Sequence, residues 1–258
     1  MNKKKNIILI GATGSIGTNL ATYLSKQNEY NLILLDREFS GLQELSEKLK
    51  VNFEYINLLN RDLIEESIVS VCNKLDNNIH GLIFNAAQTT EGLMREYKEV
   101  PSFDNFPMNV WDDGMQINVS SFFQICKIIA PKMFENDSGK IIAVASMYGV
   151  VAPTPDIYQG KKFHTPAIYT ASKSSLIGLI KWLASYLGEH NINVNSISPG
   201  GVFNNQDKDF VDMLTSKIPL KRMAKKDDIN GIVSYLLSDE SSYANGHNFV
   251  IDGGYTIR

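Results

Sequence analysis

Short apolar runs alternate along the chain with stretches whose apolar residues recur every three or four positions. The runs occupy residues 7–10, 32–35, 53–56, 81–84, 141–145, 193–197 and 248–251, and most are continuous rather than alternating, as strands covered on both faces require. Between them, residues 19–26, 42–49, 62–74, 110–134, 169–189 and 227–237 carry the spacing of amphipathic helices. Seven strands, six of them leading into helices, predict an α/β chain with a doubly wound parallel sheet and helices on both faces. No repeat, low-complexity tract or linker interrupts the pattern, so residues 1–258 are expected to form one domain. The stretches 88–109 and 147–168 are long for α/β connections, and with the region 203–222 they are the places where a substrate would be held.

Composition narrows the classes of function. The 258 residues are 43% hydrophobic and 21% charged, an ordinary globular balance. Against 28 Asp and Glu stand 25 Lys and Arg, a net charge of −3 that offers no basic footprint for nucleic acid. Lys3, Lys4 and Lys5 precede an apolar run, but that run stops at Gly11, short of a signal-peptide core. No stretch approaches the roughly 18 apolar residues of a membrane span. Cys72 and Cys126 both sit in apolar helical patterns, as reduced core thiols do, and a cytoplasmic protein is expected. His80, His164, His190 and His247 are dispersed without ligand spacing, so no metal site is expected.

Two places carry candidate chemistry. The first strand runs directly into Gly11-Ala12-Thr13-Gly14-Ser15-Ile16-Gly17. Glycines at such a turn serve close packing, or they let the backbone approach a pyrophosphate seated on helix N-terminal amides. The second strand ends in Asp36, which accepts hydrogen bonds from the hydroxyls of an adenosine ribose and repels a 2′-phosphate, favouring NAD over NADP. Arg37 beside it is a solvated side chain or a partner for that phosphate. Further on, Tyr169 and Lys173 stand one helical turn apart, and an ammonium beside a phenol favours the phenolate. Such a pair is either an exposed helix pair or an acid/base centre. The strand at 141–145 delivers Ser146 at its carboxyl end, and Asn118 puts an amide in an otherwise apolar helix, as a structural bridge or as part of a proton path.

The order of these features, with Asn85-Ala86-Ala87, Pro199-Gly200 and Asp252-Gly253-Gly254, resembles the short-chain dehydrogenase/reductase superfamily over essentially the whole chain. The resemblance implies a single-domain Rossmann fold and an NAD(P)-dependent oxidoreductase acting on CH–OH groups. It implies Tyr169 as general acid/base, Ser146 as the residue that binds the substrate oxygen, and Lys173 as the group that holds the nicotinamide ribose and lowers the tyrosine pKa. Asn118 would hold a water continuing the proton relay. Asn85, Ala86 and Ala87 would line the adenosine side, and Pro199, Gly200 and Val202 would face the nicotinamide. Three positions depart from the family pattern: Ser15 stands where the middle glycine is usual, Asn57-Leu58 where an Asp usually touches adenine, and Asn204 where a Thr usually contacts the carboxamide.

Between Ser146 and Tyr169 lie 22 residues, a longer gap than is typical of the family that the chain resembles. Tyr148, Asp156, Tyr158, Gln159, Lys161, Lys162 and His164 give it hydrogen-bonding groups and local positive charge, which suit a polar substrate better than an acyl chain. Residues 146–153, 157–160, 198–206 and 237–246 are similar to oxidoreductases of flagellin-modification and legionaminic-acid-type sugar pathways. That similarity implies a phosphorylated or nucleotide-linked sugar in surface-glycan biosynthesis. A 3-oxoacyl reductase, a simple polyol or alcohol dehydrogenase and a non-catalytic NAD-binding module are the alternatives. Helices 110–134 and 169–189 are where members of the family pair, so a dimer or tetramer is expected, with a small-molecule substrate and neither nucleic acid nor membrane as partner.

Overall fold

The computed structural model describes residues 4–257; Lys3, of the basic run noted above, lies outside them. Seven strands are joined in one parallel sheet: β1 (Lys5–Ile10), β2 (Tyr30–Asp36), β3 (Asn52–Tyr55), β4 (Gly81–Phe84), β5 (Gly139–Val144), β6 (Ile192–Pro199) and β7 (Asn248–Ile251). Their spatial order is β3-β2-β1-β4-β5-β6-β7. The order reverses between β1 and β4, and the turns leaving these two strands therefore part to open a crevice at the carboxyl edge. Register is continuous across this point, with Ile7 opposite Gly81 and Ile10 opposite Phe84.

Helices α1 (Ser15–Leu24), α2 (Phe39–Leu49), α3 (Arg61–Lys74), α4 (Thr90–Tyr97), α5 (Met108–Met115), α6 (Ser121–Phe134), α7 (Ala167–Leu187), α8 (Lys208–Lys217) and α9 (Asn230–Leu237) complete the chain. Alternation along the strands divides the core into two layers. Ile8, Ile10, Leu82, Phe84 and Ile141 face α3, α6 and α7, while Ile7, Leu9, Leu32, Leu34 and Ile142 face α1, α2 and α9. Most of these residues are wholly buried, which is why the runs read as continuous rather than alternating.

Two expectations are corrected. The uninterrupted helix over 110–134 is two α-helices joined by a π-helical segment, Gln116–Ser120, where the Ser121 amide donates to the Gln116 carbonyl five residues back. One extra residue in that turn rotates Asn118 inward, where it is 1% exposed. The stretches 88–109 and 203–222, read as loops, carry α4 and α8, N-capped by the Thr89 and Asp207 side chains.

Candidate active site

The crevice is framed by glycines that have no room for a side chain. A Cβ on Gly11, whose φ is +81°, would lie 2.5 Å from the Ala86 nitrogen, and one on Gly17 would lie 2.0 Å from the Gly11 carbonyl oxygen. Gly14 differs, because its nearest neighbour would be the Gly11 oxygen at 3.6 Å. The turn is thus held closed by its outer glycines and open at its middle, and Ser15 is accommodated as the first residue of α1. No side chain caps α1 and no acidic residue lies in its first turn, which leaves its leading amides free for an anion. Asn85 Nδ2 donates to the Gly11 carbonyl at 2.8 Å, tying the two crevice walls together. A cleft of about 500 Å³ runs past Thr13, Ser15, Thr18, Asn204 and Lys226.

At the end of β2 the Asp36 carboxylate is oriented by three amides: Thr13 N donates at 2.9 Å, Arg37 N at 2.7 Å and Glu38 N at 3.2 Å. It therefore faces the glycine turn, while the Arg37 side chain is exposed. Asn57 is occupied with its own turn, accepting from the Leu59 amide, and Leu58 is buried with its carbonyl bonded to Gln116 Nε2. Across the crevice Asn204 Oδ1 lies 3.4 Å from Ser15 Oγ, and the Asn204 amide is held by Gln206 Oε1 at 2.7 Å. Val202 pairs with Ala224 in an isolated parallel bridge. Gly200 brings the ends of β6 and β7 together, because a Cβ there would lie 2.8 Å from the Asp252 Cα. These donors and contours fit a dinucleotide: free helix amides for the pyrophosphate and a fixed carboxylate for the ribose hydroxyls.

The end of β5 and the first turns of α7 bring the reactive groups together. Ser146 is buried, and its Oγ accepts from the Tyr148 amide at 3.1 Å. Burial pushes the Tyr169 phenol above its ordinary value, and a hydrogen bond with Ser146 works in the opposite direction. Lys173 is 2% exposed and donates to the Val144 carbonyl at 2.6 Å. Its Nζ lies 5.8 Å from the centroid of the Tyr169 ring, and burial lowers its pKa to about 7. Burial therefore disfavours both charged forms, the Tyr169 phenolate and the Lys173 ammonium, and the hydrogen bond with Ser146 works against the first of these. Asn118 is bonded through both ends of its amide. Its Oδ1 accepts from the Gln88 amide at 2.7 Å and its Nδ2 donates to Ser172 Oγ at 2.8 Å, linking the turn after β4, the π segment and α7.

Sequence reasoning missed several parts. Val144 offers a main-chain oxygen, which no side-chain pattern signals. Ser172, beside Lys173, gains its meaning only when Asn118 faces it. Gly149 lets the turn after Ser146 touch α7, since a Cβ there would lie 2.9 Å from the Lys173 carbonyl carbon. The positive charge of the 147–168 segment is also changed, because Lys161 is paired with Asp207 at the start of α8.

Dinucleotide-shaped crevice and Ser-Tyr-Lys cluster together define a nicotinamide-dependent oxidoreductase. The chain belongs to the short-chain dehydrogenase/reductase superfamily: residues 11–256 match the family described as enoyl-(acyl carrier protein) reductase, adh_short_C2. It is 30% identical to 3-oxoacyl-[acyl-carrier-protein] reductase FabG of Thermotoga maritima, over 98% of this chain and 93% of that protein. It is 27% identical to D-arabinitol 2-dehydrogenase [ribulose-forming] of Candida albicans, over 97% and 92%. Among solved structures, a short chain dehydrogenase from Leptospira borgpetersenii with bound NAD+ superposes with a TM-score of 0.84 at 31% identity, covering 98% of this chain and 93% of that one. Its activity is accordingly oxidoreduction between CH–OH and keto groups. No helix among the described residues is long and apolar enough to cross a membrane, and no three potential ligands cluster there as a metal site.

Proposed function

We propose that the chain is an NAD-dependent dehydrogenase/reductase of a polyhydroxylated substrate, a free, phosphorylated or nucleotide-linked sugar of surface-glycan biosynthesis. The convergence of Ser146, Tyr169 and Lys173 on one edge of the sheet carries the chemical part of this reading. Ser146 orients the substrate oxygen and Tyr169 exchanges its proton, so that charge never accumulates on that oxygen. Bound NAD supplies the hydride acceptor, and the reduced form the donor. Lys173 would hold the nicotinamide ribose, and Asn118 would keep a water on the path by which Tyr169 is recharged. Gly11, Thr13, Gly14, Ser15, Ile16 and Gly17 would receive the pyrophosphate, Asp36 the adenosine ribose, and Val202 and Asn204 the carboxamide side.

NAD is the preferred cofactor on this reading because the Asp36 carboxylate, fixed beside the glycine turn, would accept from the adenosine ribose hydroxyls and repel a 2′-phosphate. Similarity to 3-oxoacyl reductases over nearly the whole chain supports a second reading, reduction of an acyl thioester; similarity to an arabinitol dehydrogenase supports the polyol reading equally. Titrating NAD and NADP separately by tryptophan fluorescence is the first test. Incubation with free, phosphorylated and nucleotide-linked hexoses, pentitols and an acetoacetyl thioester follows. NAD preference with turnover of hexoses supports the proposal, turnover of pentitols alone selects the polyol reading, and NADP preference with thioester reduction replaces both by the acyl reading.

The working form is a cytoplasmic homodimer or homotetramer built through α6 and α7. Phe123, Trp182 and Tyr186 support this, forming an exposed aromatic strip with Trp182 stacked on Tyr186 at 5.2 Å. A monomeric mass in solution would refute it.

A further inference from the structure

The 147–168 segment builds a chain of hydroxyl groups along the wall that holds Tyr169. Tyr158 OH donates to Tyr148 OH at 3.2 Å and lies 2.6 Å from Thr165 Oγ1. Beside them Tyr255 OH lies 3.0 Å from Thr154 Oγ1, and the Tyr148 and Tyr255 rings meet edge to face at 6.1 Å. Tyr148, Tyr158 and Tyr169 belong to one packed cluster with Phe210 and Leu214 of α8. Tyr148 is tied to the reactive centre through the bond from its amide to Ser146 Oγ.

These phenols are held firmly. The Tyr158 ring packs on Phe163 at 6.0 Å and on Phe210 at 5.9 Å, while Phe163 and Phe210 meet at 5.4 Å. Lys161 pairs with Asp207, and the Val100 amide donates to the Lys162 carbonyl at 3.2 Å, so the segment is pinned to α8 on one side and to the 88–109 stretch on the other. An apolar wall with pinned hydroxyls suits a carbon chain that bears hydroxyls of its own. A hydroxyl donates one proton and accepts two, so a substrate hydroxyl can insert into such a row by giving and taking at once, which an alkyl group cannot do. An alkyl substituent in the same position would bury phenol groups without replacing their partners.

We propose that Tyr158, acting with Tyr148 and Thr165, is a specificity-determining residue that reads a second hydroxyl of the substrate, on a carbon close to the one that exchanges hydride. This rests on the reading of Ser146 and Tyr169 as the reactive centre and of the substrate as polyhydroxylated. Specificity thereby comes from the phenols of the long segment rather than from its lysines, and Tyr158 takes no part in proton transfer.

The test compares two ketones of the same four-carbon skeleton, L-erythrulose and 2-butanone, reduced by the full-length enzyme with NADH. Wild type should favour erythrulose in kcat/KM. Loss of one neutral hydrogen bond in Tyr158→Phe should raise KM for erythrulose about 10-fold, with kcat and the constants for 2-butanone within about twofold. Thr165→Val, which removes the other bond to the same phenol, should shift selectivity in the same direction, and unchanged melting temperatures would show that both variants fold. Equal loss on both ketones, or no change on either, overturns the assignment. Wild type that reduces both ketones equally well refutes the hydroxyl reading while leaving the Ser146-Tyr169 centre standing. Reduction of neither, with NADH still bound, refutes the substrate reading and this inference with it.

Discussion

Alanine at Gly149 and alanine at Gly231 are one chemical change with opposite expected outcomes. A Cβ on Gly149 would lie 2.9 Å from both the carbonyl carbon and the carbonyl oxygen of Lys173, and 3.0 Å from Ile177 Cδ1. Two of these atoms are main chain of α7 and cannot swing aside, so the turn after Ser146 must back away. Relaxing to an ordinary contact near 3.5 Å needs a displacement of about 0.6 Å. That displacement acts just beyond Ser146 and at Lys173 itself, and it opens the space between serine hydroxyl and tyrosine phenol. A misplacement of 1 Å can cost about 100-fold in rate, so Gly149→Ala should lower kcat about 10- to 100-fold. Overpacking should also cost about 1–3 kcal/mol, which for a chain of this length lowers Tm by roughly 2–12 °C. Gly231, the second residue of α9, has nothing within 4 Å of a built Cβ. Its replacement should stabilise by about 0.5–1 kcal/mol through reduced chain entropy, raising Tm by roughly 1–4 °C with activity unchanged. The assays are thermal melts, NAD titration by tryptophan fluorescence, and steady-state turnover of the preferred substrate. Full turnover and an unchanged Tm in Gly149→Ala would refute the reasoning, because the turn and α7 would then not be held in fixed register.

Tyr169→Phe should abolish turnover while leaving NAD affinity nearly unchanged, and turnover within a few-fold of wild type would remove Tyr169 from the mechanism. Burial holds Lys173 at about 7 against an ordinary 10.5, so between those values the unfolded chain binds the extra proton and stability rises with pH. Lys173→Met should lose that rise, seen as a smaller gain in urea midpoint between about pH 6.5 and about 9.5 than wild type shows; identical gains would refute it. Asp36→Ser should improve NADP affinity relative to NAD by at least about 10-fold, the equivalent of removing one unfavourable charge contact; an unchanged ratio in the fluorescence titration would separate Asp36 from cofactor choice. Cys72 and Cys126 are buried, with both thiols pushed above their ordinary pKa by burial. Neither should react with a disulfide reagent in the native protein and both should in denaturant, and fast native labelling would show that the layer between α3 and α6 opens.

What could be read from the residues alone follows the range over which each feature is determined. The strands were legible because a buried parallel strand needs no information beyond its own apolar run. The glycine turn, Asp36 and the pair Tyr169 and Lys173 were legible because strand ends and helical spacing place them by local geometry. The start of α1 at Ser15 was less so, since Gly-Ser-Ile-Gly carries no apolar period. Helices α4 and α8 escaped notice for a different reason. Their buried residues, Leu93 on one and Phe210 and Leu214 on the other, pack against other loops rather than the sheet, and such partners leave no periodic trace. The π segment is similar, because the inward turn of Asn118 is set by Gln88 and Ser172, each distant in sequence.

The long segment after Ser146 shows how far such non-local pairing changes a functional reading. From sequence, its tyrosines and its lysines stand side by side, the first as hydrogen-bonding groups and the second as local positive charge. In the folded chain, Lys161 is paired with Asp207, 46 residues further on, while Lys162 contributes its carbonyl to the Val100 amide and is exposed. Pairing places the first charge on the seam between the segment and α8, where it fastens the wall instead of facing a substrate phosphate. The tyrosines take the inner position, because a phenol can bury its ring against Phe163 and Phe210 and still present a hydroxyl, whereas an ammonium buried there without a partner would bear a large desolvation cost. The phenols therefore form the wall, while Lys161 is covered in the seam with Asp207 and Lys162 is exposed. A substrate meeting this wall meets oriented hydroxyls on an aromatic surface, so the chemistry that the segment can recognise is that of neutral hydroxyl groups near the reacting carbon. Any phosphate or nucleotide carried by the same substrate must be recognised elsewhere along the crevice.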